Sequence, residues 1–288
     1  MDGFINLLKP PGMTSHDVVA YVRKKLKTGK VGHLGTLDPA AAGVLPVAVG
    51  QATRLIEYLE RVAMKEYLAE IVFGITTATW DMEGEILEQK DASFLTAGDI
   101  EKVLGHFHGE IEQTPPLASA VKVSGKPLYR YQRQGEKVEP PKRKVFIDSI
   151  ELLEFLADKP QPAVRLYIRC SRGTYIRSIA NEIGNLLKTG ATLKFLLRTR
   201  SGPFLLNDSN LLHEDFTLIP PEQLFQDFPK INLTREQYLR VKNGGGVKVE
   251  TKGENFGPVF AYYGEKIIAT GMICGQIFRP EKVFRFGE

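Results

Sequence analysis

The segment from Gly32 to Gly43, GHLGTLDPAAAG, holds the residues of this chain that are best suited to chemistry. It combines three glycines with His33, Asp38 and Pro39, and an apolar run, VLPVAV, follows directly. A carboxylate on a short glycine-rich loop beside a buried strand can face a substrate and act as a nucleophile. The pattern also has a structural interpretation, because Asp-Pro before three alanines predicts a helix with Asp38 as its N-cap.

A carboxylate that works alone needs a cation that keeps it ionised and oriented. The sequence CSRGTYIRS (170–178) offers candidates for that cation. A glycosidase-like hydrolase is the competing possibility, but it requires two opposed carboxylates, and no second acid accompanies the motif. The residues therefore favour a single acid paired with an arginine.

Metal and cofactor chemistry finds little support in the sequence. Cys170 and Cys274 are the only two cysteines, they lie far apart, and the five histidines are scattered. Such spacing predicts neither a zinc site nor a disulfide framework. GxGxxG and GxxxxGK[ST] motifs are also missing from the sequence, so we expect no metal and no nucleotide cofactor.

The charge of the chain is small in total but unevenly distributed. The 288 residues carry a net charge of +4. Residues 122–144 contain eight basic and two acidic residues, and residues 165–200 contain eight basic residues and one acid. Two concentrated basic blocks indicate a polyanionic partner, although two solvated faces would have the same composition. Tyr129 and Tyr131 lie within the first block and favour nucleic acid.

Periodicity predicts the elements that must position these residues. A strand is expected in GFINLLK, a helix capped by Thr14 after it, and another strand in KEYLAEIVFGITT. A second capped helix is expected from Thr96, a hairpin at Ser124–Gly125, and a helix in GTYIRSIANEIGNLLKTG. After about residue 230 short β-like runs predict a small separate domain. The N-terminus has neither the pattern of a signal peptide nor that of a membrane span, so we expect a cytoplasmic protein.

Several motifs resemble the TruB family of tRNA pseudouridine synthases, and they follow in family order over nearly the whole chain. GHLGTLDP (32–39) is similar to the catalytic motif of that family. The other matches are LLKPPGMTS (7–15), KEY (65–67), PPLASAVKVSGKPLYRYQRQG (115–135), CSRGTYIRSIANEIG (170–184) and LLRTRSGPF (196–204). The tail from about residue 231 resembles a PUA domain, which is an RNA-binding module.

The resemblance implies both a fold and a reaction. The fold would be α/β (α+β), with a mixed, largely antiparallel sheet and flanking helices, and with a small β-barrel-like PUA domain at the C-terminus. Residues 1–230 would form the catalytic domain, with an RNA-binding insertion at about 105–150, and residues 231–288 would form the PUA domain. The reaction would isomerise uridine to pseudouridine at position 55 in the T loop of tRNA. It breaks the N1–C1′ bond, turns the uracil and rejoins it through C5, without any cofactor.

The resemblance also implies roles for single residues. Asp38 would be the nucleophile and Arg177 its paired cation. Tyr67 would stack on the target uracil, and Tyr175 would place its hydroxyl at the base or ribose. Leu196 would form an apolar wall of the pocket.

His33 would fill the space that a flipped base leaves in the T loop, whereas Lys9 and Pro10 would support the catalytic loop by packing. The basic insertion would contact the RNA backbone through Lys122, Lys126, Arg130, Lys142, Arg143 and Lys144. The partner would be the T arm of tRNA, bound by a monomer that needs no other protein and no membrane.

Two other functions remain open at this point. The chain could be the catalytic subunit of a guide-RNA-dependent pseudouridine synthase, although the insertion at 122–144 favours the stand-alone enzyme. It could also be a tRNA-binding or folding factor in which catalysis is incidental.

Overall fold

A computed structural model of the protein describes residues 1–250 and 255–286. Its strands in chain order are β1 (Gly3–Lys9), β2 (Val31–His33), β3 (Ala42–Val49), β4 (Lys65–Phe73), β5 (Ile75–Thr77), β6 (Ile86–Gln89), β7 (Gly109–Gln113), β8 (Lys122–Val123), β9 (Lys126–Pro127), β10 (Arg143–Leu156), β11 (Ala163–Cys170), β12 (Ala191–Ser201), β13 (Phe204–Leu205), β14 (Lys230–Asn232), β15 (Val247–Lys248), β16 (Phe256–Tyr263), β17 (Lys266–Cys274) and β18 (Ile277–Val283).

Capping residues explain where several helices begin. The α-helices are α1 (Ser15–Lys25), α2 (Ile56–Val62), α3 (Ala97–Leu104), α4 (Leu128–Arg133), α5 (Ile176–Leu186), α6 (Pro221–Leu224) and α7 (Arg235–Val241), with 3-10 helices at Gly50–Leu55 and Leu206–Asp208. Thr14 and Thr96 each form a capping box with an aspartate three residues later. Because a cap satisfies otherwise unpaired backbone N–H groups, these threonines fix the helix starts. Both predicted caps are confirmed.

The main sheet positions the loop that carries Asp38. Its strands follow the order β1-β3-β12-β4-β11-β10-β7, with β2 paired to β3 and β13 paired to β12. Neighbouring strands are antiparallel except for the parallel pair β3 and β12. This mixed and largely antiparallel sheet with flanking helices confirms the predicted fold class. The largest hydrophobic core includes residues of β1, β4, β11 and α5.

A second, five-stranded sheet has the order β14-β16-β17-β18-β15. It packs against the first part of the chain through an aromatic cluster, which consists of Tyr58, Phe225, Phe228 and Phe260. The rings of Phe225 and Phe260 stack with their centroids 4.7 Å apart, and Tyr58 meets Phe260 edge-on at 5.4 Å. The Tyr58 hydroxyl also lies 2.9 Å from the hydroxyl of Thr270. The two sheets therefore share one buried core.

Among the described residues, no helix is both long and apolar enough to cross a bilayer.

Candidate active site

A cavity of about 940 Å³ opens over one face of the main sheet, beside Asp38. Its volume falls within the range of sites that bind small ligands, about 300–1,000 Å³. All six residues to which the resemblance gives a role at the target uridine line it: His33, Asp38, Tyr67, Tyr175, Arg177 and Leu196. Segments that lie far apart in the sequence thus meet at one site.

The loop that carries Asp38 is a turn and not the start of a helix. Residues 39–40 form the turn, and β3 begins at Ala42. The prediction that Asp38 caps a helix is therefore wrong, because parallel pairing of β3 with β12 outweighs the local helix preference of the alanines. The Asp38 carboxylate is left free to face the cavity.

Two buried polar residues from the N-terminal segment hold this loop. The Ser15 hydroxyl accepts a hydrogen bond from the Leu37 amide at 2.8 Å and donates one to the Leu37 carbonyl at 3.1 Å. The Lys9 ammonium is fully buried and donates to the carbonyl oxygens of Pro10, Met13 and Pro39, the last at 3.1 Å. Burial lowers the Lys9 pKa to about 8. Both residues fix the loop on either side of Asp38.

Arg198 holds the loop from the opposite side. Its guanidinium is fully buried and donates to the carbonyl oxygens of Val44 at 2.7 Å and Gly35 at 3.2 Å. Gly43 allows this arrangement, since its φ is +117° and an added Cβ would lie 2.2 Å from the Arg198 carbonyl oxygen. Any larger residue at position 43 would push β3 and β12 apart. Sequence analysis did not identify Arg198 as a part of the site.

Arg177 forms the expected ion pair with Asp38. Its side chain is 5% exposed, and its Nη2 lies 2.9 Å from the Asp38 Oδ1. The guanidinium also donates to the carbonyl oxygens of Thr79 and Ala118. A buried guanidinium that is held in this way orients a carboxylate more strictly than a solvated guanidinium does.

Asp81 is a second acid at the same arginine, and the sequence did not reveal it. Its Oδ2 lies 3.3 Å from the Arg177 Nη1, and its side chain is 13% exposed. Its Oδ1 accepts hydrogen bonds from the Thr79 hydroxyl at 2.5 Å and the Glu83 amide at 3.2 Å. Two carboxylates therefore share this arginine, and the prediction that Asp38 alone acts on the substrate stays a prediction. Asp81 does not line the cavity, however, so it does not form the opposed carboxylate pair of a glycosidase.

The electrostatics of Asp38 combine two opposing effects. Desolvation raises the pKa of this carboxyl above its usual value, and the negative charge of Asp81 acts in the same direction. The Arg177 guanidinium opposes both by favouring the charged form. A partly desolvated carboxylate is a stronger nucleophile than one surrounded by water, provided that a cation keeps it ionised.

Aromatic and apolar side chains form the rest of the cavity wall. Tyr67 and Leu196 are 6% and 8% exposed and come from the adjacent strands β4 and β12. Burial raises the Tyr67 pKa to about 12, so its ring is a neutral phenol. Burial, and then the charge of Arg198, lower the His33 pKa, which keeps this imidazole neutral as well. Neutral rings of this kind suit stacking on a nucleobase.

Tyr175 is positioned through its backbone. It is the N-cap residue of α5, its amide donates to the Gln113 side chain at 2.7 Å, and its carbonyl accepts from the same side chain at 3.0 Å. Gln113 is 1% exposed, so the pair is shielded from water. Gln113 is a further positioning residue that the sequence did not reveal.

The basic insertion reaches the cavity at its C-terminal end. Arg143 and Lys144 line the cavity, whereas Lys142 is exposed beside it. Lys144 pairs with Glu110 at 2.8 Å, and such exposed pairs contribute only about 0–1 kcal/mol. These cations can therefore exchange their partners for phosphates at little cost.

The other candidates for backbone contact lie in the hairpin and helix of the insertion. Lys122 and Arg130 are exposed. Lys126 is partly buried, because its ammonium pairs with Glu136 at 2.7 Å and lies 4.2 Å from the centre of the Tyr131 ring. The hairpin turns at Ser124–Gly125, as the sequence predicted.

In the part of the chain that the structure describes, no group of three or more His, Cys, Asp or Glu side chains could hold a metal ion.

Comparison with known proteins identifies relatives over the whole chain. Residues 23–176 match the model of the TruB family pseudouridylate synthase N-terminal domain. The chain is 99% identical over its full length to a tRNA pseudouridine synthase B of Carboxydothermus hydrogenoformans, of which it covers 100%. It is 50% identical over 248 residues to the tRNA pseudouridine synthase B of Symbiobacterium thermophilum, covering 85% of this chain and 82% of the relative.

Among solved structures, a similar chain belongs to an H/ACA RNP bound to a substrate RNA containing 2′-deoxyuridine. The TM-score is 0.71 at 28% identity, and the match covers 98% of this chain and 85% of that chain.

Proposed function

Because the chain belongs to the TruB family of pseudouridylate synthases, we propose that Asp38 is its nucleophile and that its target is uridine 55 in the T loop of tRNA. The chain is an isomerase that converts uridine to pseudouridine in tRNA. The observation that carries the proposed site is the contact between the Arg177 Nη2 and the Asp38 Oδ1 at the wall of the cavity.

The reaction consumes no co-reactant. A carboxylate oxygen of Asp38 forms a covalent bond to the nucleotide, the N1–C1′ bond breaks, and the uracil turns while it stays in the cavity. The C5–C1′ bond then forms, the proton on C5 leaves, N1 gains a proton, and the bond to Asp38 breaks. The pairing with Arg177 stabilises the carboxylate when it is released.

The target base must leave the stack before Asp38 can reach it. Flipping costs a few kcal/mol for unstacking and unpairing. Stacking of the extruded base on Tyr67 returns about 1–3 kcal/mol. We assign His33 to the gap left in the T loop, Leu196 to the apolar wall around the base, and the Tyr175 hydroxyl to the base or ribose.

The rest of the chain binds the body of the tRNA. We assign residues 1–230 to the catalytic domain, with the insertion at about 105–150, and residues 231–288 to a PUA-like RNA-binding domain. The curled second sheet is consistent with such a domain. The similarity to tRNA pseudouridine synthase B supports a chain that needs no partner protein, and we propose that it acts as a monomer.

The guide-dependent alternative is not favoured. The chain is 99% identical to a tRNA pseudouridine synthase B and only 28% identical to the chain of the H/ACA RNP. A role in tRNA folding that does not depend on catalysis is a separate property, which an inactive variant would retain.

The decisive experiment incubates the purified protein with an unmodified tRNA transcript and analyses the T-loop nucleosides. We expect one pseudouridine at position 55. A transcript with cytidine at that position is the matched control and should yield none. A parent protein that forms no pseudouridine in either transcript would overturn the proposal.

A further inference from the structure

Lys65 is a charged residue of the cavity to which the proposed reaction gives no role. It is the first residue of β4, two positions before Tyr67. Side chains at alternate positions of a strand point to the same face. Lys65 and Tyr67 both line the cavity, so this cation stands beside the ring that we expect to hold the target base.

The Lys65 ammonium lies directly over the catalytic loop. A Cβ added to Gly35 would be 2.5 Å from the Lys65 Nζ and 3.7 Å from the Arg198 Nη1. The two cations are therefore within about 6 Å of each other, a distance at which like charges repel appreciably in a partly buried site. Gly35, with a φ of +79°, leaves the space that the ammonium occupies.

Among the described residues, no carboxylate forms an ion pair with either of these two cations. Within residues 1–250 and 255–286, the Lys65 ammonium has no hydrogen-bond or ion-pair partner. The hydrogen bonds of Arg198 go to neutral oxygens, and the Asp38 carboxylate is held by Arg177. Burial and then the charge of Arg198 lower the Lys65 pKa to about 8, and the charge of Glu60 only partly opposes them.

We propose that Lys65 binds a backbone phosphate of the RNA next to the flipped nucleotide, and thereby recognises the extruded conformation of the target. This inference rests on the proposed function. A phosphate supplies the negative charge and the acceptor oxygens that a lysine beside a buried arginine lacks. Uracil is neutral, so the base itself does not meet that need.

Covalent geometry links this contact to the chemistry. Base and phosphate belong to the same nucleotide, so a phosphate reaches Lys65 only when the base has moved towards Tyr67. Lys65 consequently favours the flipped state over the stacked state. Exposed cations such as Arg172 lack this selectivity, since they contact the backbone from the rim of the cavity.

A charge-neutral linkage tests the proposal directly. A T-arm hairpin is made with one methylphosphonate at a time, at the linkages on either side of the target uridine and at distant linkages. Its dissociation constant and single-turnover rate are measured with the parent, with Lys65→Met and with Arg172→Met. Arg172→Met is the matched control, because it also removes one cation from the cavity but not the one over Gly35.

The parent should lose about tenfold to a hundredfold in affinity at one linkage adjacent to the target. Lys65→Met should bind unmodified RNA more weakly than the parent by a similar factor, and a methylphosphonate at that linkage should cause no further loss of its affinity. Its log–log salt slope should flatten by about 0.7–0.9. Arg172→Met should remain as sensitive at that linkage as the parent.

Equal sensitivity of Lys65→Met and the parent at every linkage would overturn the proposal. Lys65→Gln is measured in parallel, and circular dichroism of both variants establishes that they are folded. If the parent is active and no linkage is coupled to Lys65, only this inference fails. If the parent forms no pseudouridine in the unmodified hairpin, the proposed function fails as well.

Discussion

Lys65 should destabilise the free protein by an amount that depends on pH. Its pKa is about 8 in the folded protein, against 10.5 for an ordinary lysine. Between these two values the unfolded chain binds more protons than the folded one, so the free energy of unfolding rises with pH. Replacing Lys65 by methionine removes this dependence. The variant should also be the more stable protein at pH 7, because the desolvated charge is gone.

The magnitude follows from the difference between the two pKa values. One pKa unit corresponds to 1.36 kcal/mol, so the full effect is about 3 kcal/mol, of which about 2 kcal/mol falls between pH 8 and pH 10. The ionisable groups that act on Lys65 are Arg198, Glu60, Cys170 and Arg172. Guanidinium and carboxylate groups keep their charges in this range. Burial raises the Cys170 pKa to about 11, so its thiol stays neutral.

Urea unfolding of the parent and of Lys65→Met at pH 8, 9 and 10 measures the effect. The free energy of unfolding is obtained from each midpoint and slope. The parent should gain about 2 kcal/mol more than the variant over this range. The buried Lys9 also has a lowered pKa, but it is present in both proteins and cancels in the difference. Parallel pH dependences of the two proteins would refute the reasoning.

Three further outcomes are expected. Asp38→Asn should form no pseudouridine above background while tRNA affinity stays within about twofold, because the amide keeps the shape but loses the nucleophile; multiple turnovers by this variant would contradict the assignment. Neutralising the three cations at 142–144 should flatten the log–log salt slope of RNA binding by up to about 2, with little change in single-turnover chemistry at saturating enzyme; an unchanged slope would indicate a solvated face. His33→Ala should slow base flipping, as reported by a fluorescent base analogue, and a substrate with a loosened T loop should partly restore the rate. Tyr67→Ala should lose chemistry on both the ordinary and the loosened substrate. Flipping as fast in His33→Ala as in the parent would remove the role assigned to His33.

The parts of this protein that were predicted from sequence depend on local patterns. Thr14 and Thr96 follow the capping rule, in which a side chain and a backbone amide lie three residues apart. The turn at Ser124–Gly125 follows from backbone preference alone. The pairing of Asp38 with Arg177 is an exception, because the two residues lie 139 positions apart. Chemistry required a cation from CSRGTYIRS, and the family resemblance singled out Arg177.

The parts that were missed depend on contacts between distant segments. Asp81 pairs with Arg177 across 96 positions of sequence, and no sequence pattern near Asp81 predicts a buried ion pair. Gln113 and Arg198 are buried polar residues whose partners are backbone atoms of other elements. The helix predicted after Asp38 fails for the same reason, because pairing of β3 with β12 decides the conformation of the alanines.

The aromatic cluster between the two sheets has a consequence for synthesis on the ribosome. Tyr58 is made early, whereas Phe225 and Phe260 belong to the last quarter of the chain. At roughly 5–20 residues per second, the stretch from Phe225 to Phe284 takes roughly 3–12 s to emerge. During that interval the first sheet can form its strands, but the face that buries Phe4 and Tyr58 stays uncovered. The nascent chain is therefore most exposed to aggregation shortly before it is finished, when the loop that carries Asp38 is already in place.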